Sequence, residues 1–146
     1  VTKWIVNRSQ FGYSGGLLHW QHGLPESDRV PLLLFPSNDI SKGFDAFSKW
    51  MREHRPDALI TFDTHVPGWL KRLGKRIPDD IGFVVHDWTP KMTGYAGIYQ
   101  QRDHLAAAAV DLIVTQLSQH EHGVPTVPRQ IMIPPRWVDG PSVRSQ

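Results

Sequence analysis

Two short clusters in this chain combine residue types that can hold a polyhydroxylated molecule. Asp63-Thr64-His65 follows the run Asp57 to Phe62, and His86-Asp87-Trp88 follows Ile81 to Val85. A carboxylate accepts from two neighbouring hydroxyls, an imidazole donates or accepts, and an indole face covers the apolar side of a sugar ring. Asn38 adds an amide in the segment after Val30 to Phe35. The same residues suit plainer roles: Asp63 can cap a helix and Asp87 a turn, and Trp88 has the bulk of a packed core residue. Asp63, His65, His86 and Asp87 could also act as an acid-base cluster, which would make the chain an enzyme. A G-x-S-x-G spacing does occur at Gly12 to Gly16 (GYSGG), but no clear strand precedes it as a nucleophile turn requires, and the sequence has no G-x-G-x-x-G loop and no Walker loop. Among eight histidines, His19 with His22 and His120 with His122 have metal-like spacing, but neither pair has a third ligand nearby in sequence. No metal and no cofactor is expected.

The elements that must position these clusters alternate. Val30 to Phe35 (VPLLLF) is too short and too continuously apolar for a helix and predicts a buried strand. Phe44, Phe47, Met51 and His54 then recur at helical spacing, with Asp45, Lys49, Arg52 and Glu53 between them. Pro56 ends that helix, because the residue before a proline is pushed out of the helical region. Asp57 to Phe62 predicts a second buried strand. A helix follows, capped by Asp63-Thr64, carrying Trp69, Leu70 and Leu73, and ending among Lys71, Arg72, Lys75 and Arg76, cations that suit a helix C-terminus. The turn Ile77 to Asp80 leads to a third strand, Ile81 to Val85. Arg102 to His120 predicts the longest helix, with an apolar stripe of Leu105, Ala109, Leu112, Ile113, Gln116 and Leu117, and Arg129 to Ile133 a last strand before an irregular tail from Pro134. Lys3 to Val6 suggests a strand, and Phe11 to Trp20 a helix weakened by three glycines. This beat predicts an α/β fold with an open, mainly parallel sheet in three layers, helices on both faces. In such sheets ligands bind beyond the carboxyl ends of the strands, where both clusters fall.

The composition is that of a folded domain. The chain has 146 residues, 40% hydrophobic and 21% charged, enough to bury one core. Its 16 basic and 14 acidic residues are dispersed, so charge alone implies no nucleic acid. No apolar run approaches a membrane span, no membrane partner is expected, and the lack of cysteine fits a reducing, cytoplasmic setting. The start Val1-Thr2-Lys3-Trp4 reads as a cut, with sequence expected upstream.

From Pro56, PDALITFDTHVPGWLKRLGKRIPDDIGFVVHDW resembles the lac repressor and purine repressor family, with its P-D/T-A-I/L-x-x-x-N-D segment, a helix, then I/V-P-x-D-I/V-x-V-x-G-F/Y-D-D. Ala96 to Arg144 is similar to that family's ending: a short strand, a helix opened by glutamine, a basic strand and a V-x-R close. Together these stretches cover about two thirds of the chain. The resemblance implies a periplasmic-binding-protein-like effector domain for a sugar or nucleobase, which dimerises with a second copy and reaches operator DNA through a separate N-terminal helix-turn-helix. It implies that residues 1–146 hold part of that domain: about 8–100 and 129–140 as the C-terminal lobe, with the 101–122 helix packing on the N-terminal lobe. Exposed apolar surface on that helix, or a swapped or dimeric arrangement, is then expected.

It also implies site residues. Asp87 stands at the first Asp of G-F/Y-D-D, which touches the effector in that family. Asp63 and Thr64 replace the N-D pair, Trp88 replaces the second Asp, and Val85 the Gly. Tyr13 falls by spacing where the family has an effector-binding Arg, with Arg8 the nearest base. The expected ligand-binding set is Asp87, Asp63, Thr64, His65, Trp88, Asn38 and Tyr13, and the expected function is sensing, not catalysis. An exported sugar-binding protein is the other alternative to the enzyme.

Overall fold

The computed structural model describes residues 12–33, 40–123 and 127–144. It divides into two compact units, one of Val1–Asp57 with Trp69–Gly74, the other of Ala58–Gly68 with Lys75–Gln146. In the first, α1 (Gly12–His22) leads through a 3-10 turn to α2 (Ile40–His54). Periodicity places Phe44, Phe47 and Met51 on one side of α2, and Phe47 and Met51 are buried. The ring of Trp69 lies 5.5 Å from that of Phe47 and 6.3 Å from that of Phe44, and the Arg72 guanidinium caps Phe44 at 3.9 Å. Arg55, just before Pro56, ends α2 in a left-handed turn with φ 46°. A proline there forbids continuation of the helix, and the observed turn is one way out of it.

The second unit is built on a four-stranded sheet ordered β1 (Ala58–Thr61), β2 (Gly82–Val85), β3 (Ala96–Tyr99), β4 (Arg136–Val138). β1 pairs parallel with β2 from Ala58↔Gly82 to Thr61↔Val85, and β2 pairs parallel with β3 at Val84↔Ala96 and Val85↔Gly97. β4 closes the sheet antiparallel, with Tyr99 opposite Arg136. The crossover from β1 to β2 contains α3 (Val66–Arg72), which stops at Gly74, whose φ of +69° a β-carbon would disfavour. Every residue of β2 is buried, as its uninterrupted apolar run requires. Ile81, Phe83 and Ala96 form the core with Val66 and Val85. The longest helix, α4 (Arg102–Ser118), follows β3.

The α/β class, the mainly parallel sheet and the elements α1, α2, β1, α3, β2 and α4 agree with the sequence. Three expectations change. Residues 30–33 form no strand. The Val30 and Pro31 carbonyls instead accept from the side chains of Gln21 and Trp50, both at 2.8 Å, while residues 34–39, with Asn38, and Lys3 to Val6 lie outside the described residues. β1 is less covered than a doubly buried strand: Ile60 is 67% exposed and Phe62 39%. β2 and β3 are joined by turns over residues 86–95. The final strand is Arg136–Val138 and not Arg129 to Ile133, where Met132 is 86% exposed and no ladder partner is found.

α4 buries none of its residues. Leu105, Ile113 and Leu117 of the expected stripe are 48, 55 and 60% exposed. Ala108, Leu112 and Gln116 are the partly covered line, at the spacing of one helix face.

Candidate functional site

Because β1, β2 and β3 run parallel, their carboxyl ends at Thr61, Val85 and Tyr99 share one edge of the sheet. Three segments leave that edge: Phe62 to His65, His86 to Trp88, and Gln100 to Asp103. They are tied together. The His86 amide donates to the Thr61 carbonyl at 2.9 Å, extending the β1–β2 ladder by one bond. The Phe62 and His86 rings lie 4.0 Å apart with planes 32° from parallel. The Gln100 side-chain amide donates to the His86 carbonyl at 3.3 Å.

Asp63 forms a tight turn ahead of α3. Its Oδ1 accepts the His65 backbone N–H at 2.8 Å and meets the His65 Nδ1 at 2.7 Å. This is an Asx turn that precedes the helix, and it also orients the imidazole, which is half exposed. Thr64 between them is exposed. Asp87 faces a different partner. Its Oδ2 accepts from the Arg102 Nη2, at the first residue of α4, while its Oδ1 is buried without a hydrogen-bond partner among the described residues. Burial pushes the His86 imidazole below its ordinary range and so favours the neutral ring, against smaller opposing effects of a backbone hydrogen bond and then of the Asp87 charge.

Trp88 is packed and hydrogen-bonded. Its amide donates to Ile98 at 3.0 Å, and its indole N–H is shared between the carbonyls of Met92 at 3.1 Å and Tyr95 at 2.9 Å. The indole sits so close to Gly97 that a β-carbon there would lie 2.7 Å from the Trp88 Cβ. Its ring stands edge-on to Tyr99 at 6.1 Å. Tyr13 lies in α1 with its side chain outside the described residues, as Asn38 is altogether.

Further polar groups at this edge were not singled out from sequence. The Tyr99 hydroxyl donates to Asp103 Oδ1 at 2.6 Å. That bond raises the Tyr99 hydroxyl above its usual range and lowers the Asp103 carboxyl below its own. The Arg136 guanidinium stands 5.9 Å over the Tyr99 ring. Arg102 did carry a signal, since a cation on the first residue of a helix opposes the helix dipole and calls for a nearby anion. The arrangement thus presents three carboxylates, Asp63, Asp87 and Asp103, each engaged by a neighbour of this chain. Among the described residues, no group of three histidines or carboxylates is placed to hold a metal ion. No helix among them is long and apolar enough to cross a membrane.

Two solved structures resemble this one over nearly its whole length. The transcription regulator CcpA of Lactococcus lactis aligns with a TM-score of 0.60 and 16% identity over 92% of this chain. A LacI-type transcription regulator from Bifidobacterium animalis aligns with a TM-score of 0.65 and 22% identity over 94% of it. The fold is that of LacI-type regulators. This chain spans about half the length of these LacI-type structures, 49% and 51% respectively. No family model matches the sequence, and no curated protein matches it. In open parallel sheets generally, ligands bind beyond the carboxyl ends of the strands, and Asp63 and Asp87 stand at that edge of this sheet.

Proposed function

We propose that this chain is the sugar-sensing part of a bacterial LacI-type transcription regulator. The observation that carries the reading is the convergence of Asp63, His65 and Asp87 at one carboxyl edge of a sheet with this fold. Carboxylates and an imidazole at adjacent strand ends offer acceptors for vicinal hydroxyls, and in this reading the activity is binding and not catalysis. In this reading residues 8–100 and 129–140 belong to the C-terminal lobe of a two-lobed effector domain, and the helix over 101–122 packs on the N-terminal lobe. The full protein works in the cytoplasm as a homodimer, and sugar binding changes its affinity for operator DNA through an N-terminal helix-turn-helix. Asp87, Asp63, Thr64 and His65 contact the effector, and Trp88 supports the loop that carries Asp87.

The test is a thermal-shift screen of the full-length protein against mono- and disaccharides, since a ligand that binds only the folded state raises its melting temperature. At least one sugar is expected to do so, and Asp87→Ala to remove the response while leaving the circular dichroism of the folded protein unchanged. Silence toward every sugar overturns the sugar reading. An undiminished response in Asp87→Ala overturns the role of that carboxylate.

A further inference from the structure

Resting on the proposed effector role of Asp87, we infer that Arg102 is a built-in competitor for that carboxylate, a specificity-determining side chain that the sugar's hydroxyls must displace. The Asp87 Oδ1 is buried out of reach of solvent, without a hydrogen-bond partner among the described residues, so the Oδ2 that Arg102 occupies is the oxygen open to a donor from outside. Arg102 is 63% and Asp87 35% exposed at the side chain, so the pair is within reach of solvent and can exchange. The backbone holds Arg102 there at a cost. Gln101, the residue before it, has a left-handed φ of 48° and ψ of 48°, which a non-glycine residue adopts only where its surroundings enforce it. Those surroundings are visible: the Gln101 side chain donates to the Pro134 carbonyl at 2.6 Å, and the neighbouring Gln100 donates to the His86 carbonyl. A cation on the first residue of a 17-residue helix is also opposed by the helix dipole, and Asp87 is the anion that offsets it.

The consequence is a selection rule. A ligand that takes Asp87 must replace one charge-assisted hydrogen bond, from the Arg102 Nη2 to Oδ2, so only a hydroxyl held against Oδ2 by the ligand's other contacts competes with the guanidinium. Because Arg102 is also the first residue of α4, exchange at Asp87 frees the start of that helix, so occupancy of the strand-end site is reported to α4.

The experiment uses the full-length protein and the sugar that gives the largest thermal shift in the screen above. Its dissociation constant is measured by calorimetry for wild type, Arg102→Ala and Arg102→Lys. Removing the competitor is expected to tighten binding by roughly two- to fivefold, the range open to a solvent-accessible ion pair that must first be broken. Arg102→Lys, which keeps the charge, stays near wild type. Guanidinium ion at low millimolar concentration weakens sugar binding to Arg102→Ala and leaves wild type unaffected. Unchanged or weaker sugar binding in Arg102→Ala overturns the competition while the sugar reading stands, whereas silence of every sugar toward all three proteins overturns the reading and the competition together. A thermal double-mutant cycle between Arg102→Ala and Asp87→Asn tests the pair without any sugar, and zero coupling overturns it.

Discussion

Ser142 completes the ladder of Phe83 where β3 does not reach. The Phe83 amide donates to the Ser142 carbonyl at 2.8 Å, and the Ser142 hydroxyl donates back to the Phe83 carbonyl. β3 pairs with β2 only from Val84 onward, so the first half of β2 would face a gap there. The same hydroxyl accepts the Ala96 amide at 2.8 Å and is fully buried. The tail after β4 is therefore part of the sheet that carries the candidate site.

Ser142→Ala removes the bridging hydroxyl and leaves two buried backbone groups short of a partner, a loss of about 1–3 kcal/mol. For a domain of this size each kcal/mol lowers the melting temperature by roughly 2–8 °C. Calorimetry of the variant beside wild type checks this. A melting temperature within a degree of wild type would show that the hydroxyl is dispensable.

Gly97→Ala and Gly140→Ala probe the two closest backbone approaches. A β-carbon at Gly97 would stand 2.6 Å from the Val85 carbonyl oxygen, and one at Gly140 2.4 Å from the Ala96 nitrogen. Both obstacles are backbone and cannot swing aside, so each substitution costs about 1–3 kcal/mol or more as the strands shift. Gly15→Ala, inside α1 with open space around it, is the control and should hold or raise the denaturant midpoint, since alanine favours a helix over glycine. Equal midpoints for all three would refute the packing described around Trp88 and Ala96.

How much of this was legible in the sequence depended on whether the cue was local. β2 was, because five consecutive apolar residues from Ile81 admit little but a buried strand. Asp63 and Asp87 were found because each directly follows such a run. β4 was not. Arg136-Trp137-Val138 is three residues long and follows two prolines, and its pairing is set by Gly97 and Tyr99, some forty residues upstream. Arg129 to Ile133 carries the stronger apolar pattern but no ladder, so strand propensity lost to the available partner. The hold of Arg102 on Asp87 was hidden for a similar reason, since the two are 15 residues apart and meet only once β3 and α4 are in place.

Asp80 supplies a pH-dependent prediction outside the candidate site. The Arg76 side chain donates to both its carboxylate oxygens at 3.1 Å and the Arg76 amide donates at 2.8 Å. The side-chain bond foremost, then the amide, lower the carboxyl to about 2. An acid whose folded pKa is depressed adds stability that is full above its ordinary value of 3.8 and is lost as pH falls from there toward about 2. Carbonyl-detected NMR should find Asp80 still ionised at pH 3, and Arg76→Ala should bring its midpoint back up. An Asp80 midpoint that Arg76→Ala does not move would show that the guanidinium is not its cause.

His86 gives the opposite chemical type with the same sign. Its imidazole is held below the ordinary 6.5 chiefly by burial, so on acidification the unfolded chain takes up a proton before the folded one does. Between those two values the unfolded state binds more protons, and stability falls as pH falls. The contribution is constant well above 6.5 and declines once pH passes below it. His86→Phe keeps a ring against Phe62, 4.0 Å away in the native pair, while removing the titrating group. Melting temperatures of wild type and variant measured from pH 8 to pH 5 should run parallel above pH 7 and converge or cross below pH 6.5, the wild type declining more steeply. Parallel curves over the whole range would mean that the His86 ring is as easily protonated in the fold as in water, and that the edge joining Asp63 to Asp87 is wetter than its packing against Phe62 requires.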